Sequence, residues 1–255
     1  MDRGDEVIYS RNMATSPAPL AVVTGSGGGL GAALAIALAE DGYDIVVHAH
    51  SNLSGAQATA AAVTARGRRA HLVQGDLSTS AGAAALAAGA AALNSSVQVL
   101  VNNAGAYVGG PLETLTERDW LEGLHSTATA TFLATQALLP MMRQHGQGRL
   151  VMIGDSSCDR PGSRDLAAGY HVGKTGVWIL TRSWARSEAV HGITANMISP
   201  GFLENSVDLP DPQTIPAGRF GTFNDVITAL RFLISPQAAY LSGSNLVVSG
   251  GWNLR

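Results

Sequence analysis

Tyr170 and Lys174 are the residues whose types and spacing point most directly to chemistry. They stand four residues apart on a segment that is predicted to be helical, so both side chains lie on one face of that helix. A phenol has a pKa of about 10 and is a poor acid or base at neutral pH, but a nearby ammonium group stabilises the phenolate and lowers that pKa. The pair is therefore predicted to deliver a proton to a carbonyl oxygen.

Lys174 is the single lysine of the chain, since the other fifteen of its 16 basic residues are arginines. A compact ammonium on a flexible stem can both stabilise a phenolate and hold a ribose hydroxyl, which suits lysine better than arginine. The position of this lone lysine beside Tyr170 favours a functional role over an ordinary surface charge.

The segment "TGSGGGLG", residues 24–31, lies between a predicted strand and a predicted helix. The spacing G-x-G-x-x-G fails from Gly25 because Leu30 occupies its last place, whereas T-G-x-x-x-G-x-G fits. Glycines in such a loop let the backbone approach a phosphate at a helix N-terminus. This pattern predicts a dinucleotide site, and its candidate binding residues are Thr24, Gly25, Ser26, Gly29, Leu30 and Gly31.

The second predicted strand ends in "VVHAHSN", where NAD-binding proteins usually carry an acidic residue for the ribose hydroxyls. None occurs between Asp44 and the following helix. Ser51 and Asn52 could instead donate hydrogen bonds to a 2′-phosphate, with His50 nearby, although no arginine is present. NADP(H) is therefore the predicted cofactor, with NAD(H) possible, and a passive role for the histidines is the simpler interpretation.

Two further strand ends complete the predicted dinucleotide groove. Asp76, followed by Leu77, is placed to accept a hydrogen bond from adenine. The segment "NNAG", residues 102–105, supplies small residues that would let backbone pack against the cofactor, namely Asn103, Ala104 and Gly105.

Short apolar runs alternate with Ala/Leu-rich helical segments, as in a parallel sheet covered on both faces. The predicted strands are 20–24, 43–50, 70–76, 97–105, 148–155, 192–201 and 245–251. The predicted helical segments are 29–41, 54–66, 79–93, 117–145 and 168–190. We therefore predict an α/β fold with one Rossmann-type doubly wound sheet of about seven strands. It would form a single domain over 18–255, after a disordered leader over 1–17, with a candidate substrate lid at 202–225.

Composition excludes several classes of function. The net charge of −3 provides no overall positive potential that would attract nucleic acid. The sequence has no uninterrupted run of eighteen apolar residues, so no membrane span is predicted. The single cysteine, Cys158, fits a reducing cytoplasm. No metal site is predicted, and the expected partner is a small molecule.

The chain resembles the short-chain dehydrogenase/reductase family over residues 18–253. The resemblance rests on the Thr24–Gly31 loop, Asp76, the 102–105 segment, the Tyr170/Lys174 pair, Pro200–Gly201 and the closing "SGGW". It implies a nicotinamide cofactor, hydride transfer at a carbonyl or alcohol, and a homodimer or homotetramer paired through helices near 127–145 and 169–189. It also implies that Pro200 and Gly201 lie against the nicotinamide, with Asn205 or Ser206 at its carboxamide.

Two departures from the family pattern leave alternatives open. The family's catalytic serine lies thirteen residues before the tyrosine, and this count gives Ser157. Alignment of the preceding strand gives Asp155 instead. An aspartate at that position resembles the pteridine-reductase branch of the family, whose members reduce a C=N bond. The substrate is therefore either a ketone or an imine-like C=N.

The second departure concerns the family's helical asparagine, which supports a water chain from the lysine and falls on Thr127. This replacement motivates an alternative, a dinucleotide-binding sensor without turnover.

Overall fold

Seven parallel strands form one sheet in the part of the chain that the structure describes. The computed structural model describes residues 18–93, 96–160, 162–207 and 209–253, so the predicted leader over 1–17 lies outside it. The strands follow the order β3-β2-β1-β4-β5-β6-β7. Their bounds are β1 Leu20–Val23, β2 Asp44–Ala49, β3 Ala70–Gln74, β4 Val97–Asn102, β5 Gly148–Ile153, β6 Ile193–Pro200 and β7 Asn245–Val248. This architecture confirms the predicted fold class.

Helices cover both faces of the sheet because its central strands are apolar on both sides. In β1, Leu20 and Val22 pack into one core with the helices of one face, while Ala21 and Val23 pack into the opposite core. The helices are α1 Gly29–Glu40, α2 Leu53–Thr64, α3 Ser80–Ala92, α4 Glu117–Leu124, α5 Ala130–His145, α6 Ala168–Ser187 and α7 Phe223–Ile234. Within the described ranges, no helix combines the length and apolarity that crossing a membrane requires.

The predicted helical stretch over 117–145 is interrupted. Helices α4 and α5 are joined by a π-helical segment, His125–Thr129. The Thr127 hydroxyl donates to the Gly123 carbonyl at 2.6 Å and lies 3.2 Å from the Leu124 carbonyl. Such side-chain bonds compete with the helical backbone pattern, and π-helical turns concentrate at functional sites.

The two ends of the candidate lid, residues 202–225, are joined to each other. Leu203 and Gly221 form an isolated bridge, so the two ends of the segment meet. Thr222 and Asp225 form a capping box that starts α7 immediately afterwards. The only regular structure between them in the described residues is a short 3₁₀ helix, Pro212–Thr214.

An ion pair joins the ends of α5 and α6, the second of which carries the predicted catalytic pair. Arg143 donates through Nε and Nη2 to the two carboxylate oxygens of Glu188, at 2.8 and 2.7 Å. The Glu188 side chain is 2% exposed and that of Arg143 is 43% exposed. The guanidinium thus holds the pKa of the Glu188 carboxyl below its usual range.

Replacing Arg143 with leucine should destabilise the protein, because Glu188 would keep its charge in a buried position without its cation. The expected loss in the free energy of unfolding is about 1–3 kcal/mol, measured by urea denaturation at pH 7. Arg186→Leu, at an exposed position on α6, is the matched control and should change it by less than about 0.5 kcal/mol. Equal effects of the two substitutions would contradict the assigned role of the ion pair.

Candidate active site

The carboxyl ends of β1 and β4 meet where the strand order reverses, which is where open α/β sheets bind ligands. Side-chain hydrogen bonds join the two ends. The Thr24 hydroxyl accepts from the backbone N–H groups of Asn103 and Ala104, both at 3.0 Å. The Asn103 amide donates to the carbonyls of Thr24 and Gly25, at 3.0 and 3.1 Å. These bonds fix the start of the glycine loop against the "NNAG" segment.

The first and last glycines of the loop motif are required by the geometry. Gly25 has a φ of +64°, in the left-handed region. A Cβ on Gly31 would overlap the Gly25 carbonyl and lie 2.5 Å from Nδ2 of Asn103. The loop can therefore turn tightly into α1 only with glycine at these places. Leu30, which the motif places between Gly29 and Gly31, is half-buried in the first turn of α1 and packs against the core.

Ser26, one of the predicted cofactor-binding residues, uses its side chain inside the loop. The residue is 0% exposed. Its hydroxyl donates to the Val23 carbonyl at 2.8 Å and accepts from the backbone N–H of His48 at 3.0 Å.

Asn52, which is predicted to lie near a 2′-phosphate, also forms hydrogen bonds within the fold. Its Nδ2 donates to the Gly27 carbonyl at 2.7 Å, and its Oδ1 accepts from the Gly55 backbone N–H at 3.1 Å. Asn52 thus caps α2 and ties that helix to the glycine loop. His50 and Ser51 lie exposed beside it, at the end of β2.

His48 is a residue that sequence reasoning assigned a passive role. Its Nδ1 accepts from the Gly25 backbone N–H at 3.1 Å, and its Nε2 lies 3.0 Å from the Gly75 carbonyl. The side chain therefore supports the glycine loop directly. Its place two residues before the end of "VVHAH" was visible in the sequence, but its buried partners belong to two other segments.

Asp76 lies at the end of β3, as the predicted adenine site requires. One of its oxygens accepts from the Ser78 backbone N–H at 2.9 Å, and hydrogen bonding to Ser78 lowers the pKa of the carboxyl. The Leu77 side chain is buried in the core, so this residue can face the groove only through its backbone.

Lys174 is almost completely buried, with 4% of its surface exposed. Its ammonium donates to the Ile153 carbonyl, at the end of β5, over 2.7 Å. Burial lowers the pKa of the amine to about 8, although the charge of Asp155 acts in the opposite direction. The amine lies 5.6 Å from the centre of the Tyr170 ring, so the two residues do share one face of α6.

The pKa of the Tyr170 phenol is shifted upward, whereas the sequence predicts a downward shift beside Lys174. Burial raises the pKa of Tyr170 above its ordinary value of 10.0, and the negative charge of Asp155 adds to the effect. The Tyr170 ring packs edge-to-face against Tyr107 and His171, with centroids 5.2 and 5.3 Å away. Neither neighbour was singled out from the sequence. His171 adjoins Tyr170 in the chain, but Tyr107 reaches it only through the fold.

Asp155 and Ser157 are hydrogen-bonded to each other. The Ser157 hydroxyl donates to Asp155 Oδ1 at 2.6 Å, and its backbone N–H donates to the same oxygen at 3.0 Å. Asp155 also faces His171, with 3.9 Å between Oδ1 and Nδ1. Of the two candidates, Asp155 is the one whose charge acts on both Tyr170 and Lys174.

Thr127, on which the family's helical asparagine is predicted to fall, lies near Lys174. A Cβ on Gly105 would come within 3.3 Å of the Thr127 methyl group and 3.4 Å of the Lys174 amine. A Cβ on Gly173 would overlap the Thr127 hydroxyl. The threonine is 0% exposed and fills a space that only glycine neighbours leave open.

The segment after β6 closes the other side of the groove. Pro200 ends that strand, and Gly201 donates to the Val248 carbonyl at 3.0 Å. A Cβ on Gly29 would lie 3.2 Å from Nδ2 of Asn205, so this side chain reaches across to the glycine loop. The Ser206 hydroxyl accepts from the Leu203 backbone N–H at 3.0 Å.

Comparisons with known proteins agree with this geometry. A family model described as short chain dehydrogenase matches residues 19–212. The chain belongs to the short-chain dehydrogenase/reductase family. It is 30% identical over 241 residues to a 3-oxoacyl-(acyl-carrier-protein) reductase of Staphylococcus epidermidis, a match that covers 91% of this chain and 97% of that protein.

Solved structures of other family members have the same fold. An acetoin dehydrogenase from Enterobacter cloacae is 32% identical with a TM-score of 0.84, covering 93% of this chain and 97% of that one. A blue fluorescent protein from a metagenomic library, solved in complex with NADPH, is 32% identical with a TM-score of 0.85. That match covers 92% of this chain and 98% of the other.

Replacing Lys174 with methionine should remove a pH dependence of stability. The amine has a pKa of about 8 in the fold and 10.5 as its ordinary value, so between these values the unfolded chain binds more protons. The free energy of unfolding of the wild type should therefore rise with pH in this window, relative to the variant, by at most about 1.4 kcal/mol per pH unit.

Urea denaturation at pH 8.0, 8.8 and 9.5 measures this difference. Titrations shared by both proteins cancel when the variant is subtracted from the wild type. Arg182→Met, at an exposed position on the same helix, is the control. Because this variant keeps Lys174, the difference in the free energy of unfolding between it and the wild type should not change with pH. Parallel pH profiles for the wild type and Lys174→Met would contradict burial of a titrating amine.

Proposed function

We propose that this protein is an NADP(H)-dependent reductase that delivers hydride to a ketone or an imine-like C=N bond of a small molecule. The observation that carries the proposal is the position of the Tyr170/Lys174 pair. Both side chains lie on one face of α6, and the amine contacts the end of β5 beside the switch point of the sheet. Thr24, Gly25, Gly29, Gly31 and the 103–105 backbone would hold the dinucleotide there.

A bound nicotinamide cofactor would supply the hydride. Tyr170 would supply the proton from its hydroxyl to the substrate oxygen or nitrogen. The phenol is protonated at neutral pH, which is the form that reduction needs. Because burial raises its pKa and so makes it a weaker acid, proton transfer would depend on stabilisation of the phenolate. Lys174 would hold a ribose hydroxyl and stabilise the phenolate that remains after proton transfer.

Asp155 is the better candidate for the third group. The Ser157 hydroxyl already donates its proton to Asp155, so it is not directed at a substrate. An ionised carboxylate accepts hydrogen bonds but does not donate them. It would disfavour a bare carbonyl oxygen that gains negative charge and would favour a substrate with an N–H or a cationic nitrogen beside the reducible bond.

The preference for NADP(H) rests on the end of β2. His50 and Ser51 are exposed there, and in the described part of that strand end no carboxylate follows Asp44 before α2. A 2′-phosphate would meet neutral or weakly basic groups rather than a like charge. A related structure in this family binds NADPH, which supports the same choice.

We also propose a homo-oligomer in the cytoplasm, either a dimer or a tetramer. Large apolar side chains are exposed along two neighbouring helices, with Phe132 of α5 at 40%, Val172 of α6 at 49% and Ile179 of α6 at 61%. A second copy of this chain is the occupant that family membership suggests. The lid over 202–225 would set the substrate range.

Thr127 favours one alternative, a dinucleotide-binding sensor without turnover. Its hydroxyl is bound to a backbone carbonyl of α4 and lacks the two-sided bonding of an amide. A proton relay that passes through an asparagine would therefore be absent. Under this alternative the protein would bind the cofactor but reduce nothing.

Consumption of NADPH over a panel of simple ketones, amino ketones, cyclic imines and dihydropterins tests the main proposal. Wild-type protein should turn over at least one of these classes, and Tyr170→Phe should lower kcat at least about a hundredfold while leaving cofactor affinity within a few-fold. NADH should be the poorer cofactor by KM. NADPH binding without turnover of any substrate would favour the sensor.

Substitution of the two third-group candidates should give unequal results. Asp155→Ala should lower kcat about a hundredfold, because interactions at the reacting atoms are worth about 2–4 kcal/mol in the transition state. Ser157→Ala, the matched control two residues away, should lower it less than about tenfold. A larger effect for Ser157→Ala would reverse the assignment and favour a simple ketone as substrate.

A further inference from the structure

An imidazole nearly excluded from solvent lies beneath the glycine loop. His48 belongs to β2, and 2% of its surface is exposed. Its ring lies between the first glycine of the loop and the segment that follows β3. The catalytic proposal above does not use this residue.

The two partners of the ring fix its protonation state. A backbone N–H can only donate, so Nδ1, which faces Gly25 at 3.1 Å, must carry no proton. A carbonyl can only accept, so Nε2, which faces Gly75 at 3.0 Å, must carry one. Both bonds exist together only in the neutral imidazole with its proton on Nε2.

The backbone of His48 holds the next loop residue as well. The Ser26 N–H donates to the His48 carbonyl at 2.8 Å, and the His48 N–H donates to the Ser26 hydroxyl at 3.0 Å. Residue 48 thus contacts Gly25 and Ser26 in succession. Gly25 has the left-handed φ that begins the turn, so its orientation sets the path of the loop.

We propose that His48 is a positioning residue for the dinucleotide, and that protonation of its Nδ1 releases Gly25 and weakens cofactor binding at mildly acidic pH. This rests on the proposed dinucleotide site. The ring itself does not contact the cofactor; it acts through the Gly25 N–H.

The surroundings of the ring are consistent with a neutral imidazole. Burial is the largest influence and lowers the pKa of His48 below its ordinary 6.5, and His50 on the same strand acts in the same direction. Hydrogen bonding to Gly75 and the charge of Asp76 after β3 raise it. The glycine loop contributes the uncharged Ser26. As pH falls below about 6.5 the unfolded histidine takes up a proton first, so the stabilisation that depends on the neutral ring is lost.

Calorimetric titration of the full-length protein with NADP⁺ and with NAD⁺, at pH 7.5 and pH 5.5, tests the proposal. His48→Asn keeps an amide oxygen that can accept from Gly25 but does not titrate. The wild type should lose at least about threefold more affinity on acidification than His48→Asn does. His191→Asn, at an exposed position just before the amino end of β6 and away from the glycine loop, is the control and should keep the wild-type pH dependence.

The paired comparison removes the titration of the ligand itself. A 2′-phosphate titrates with a pKa of about 6, but it does so equally for every variant, and NAD⁺ lacks it. His48→Leu should bind both dinucleotides weakly at either pH, because no acceptor for Gly25 remains. Equal pH dependence in the wild type and His48→Asn would overturn the proposal, as would wild-type affinity that increases on acidification.

Nitrogen NMR of the wild-type imidazole gives a second test that needs no variant. The ring of His48 should be neutral at pH 7.5 with its proton on Nε2, and a proton on Nδ1 would overturn the proposal. If the wild type bound neither dinucleotide at pH 7.5 while the ring had the expected tautomer, the proposed cofactor function would fail. The hydrogen bonds of His48 to Gly25 and Gly75 would then be confirmed, but without a bound dinucleotide that they could position.

Discussion

The buried ammonium of Lys174 is the constraint on which the arrangement of the site depends. A charge that is almost excluded from water is costly unless it is hydrogen-bonded, and this one donates to the Ile153 carbonyl at the end of β5. That bond ties α6 to the carboxyl edge of the sheet. It places Tyr170, one turn earlier on the same helix, near the groove proposed for the dinucleotide. The space around the amine is created by Gly105 and Gly173 and filled by Thr127.

The pKa shifts of Tyr170 and Lys174 follow from burial as well. Low solvent exposure lowers the pKa of an amine and raises that of a phenol, since both shifts favour the neutral form. The sequence suggested the opposite shift for Tyr170, because proximity of an ammonium was considered without the cost of desolvation. A carboxylate at Asp155 strengthens the shift of the phenol.

Polar residues of the groove divide into those that support the loop and those that remain exposed. Ser26, Asn52 and Ser206 satisfy backbone groups of nearby turns, whereas Ser51 and His50 are left at the surface. Tight turns leave many N–H and C=O groups without backbone partners, and short polar side chains are the ones that can reach them. For this reason a polar side chain next to a phosphate-binding loop can serve to hold the loop backbone rather than to bind the ligand.

The sequence by itself determined the fold class, the family and the common face of Tyr170 and Lys174. These depend on local periodicity and on motifs whose residues are neighbours in the chain. It did not determine which of Asp155 and Ser157 faces the pair, the partners of His48, or the approach of Tyr107 to Tyr170. Each of these depends on contacts between segments far apart in the chain. Their geometry, and the desolvation that sets the pKa values, exists only once the sheet and its helices are packed together.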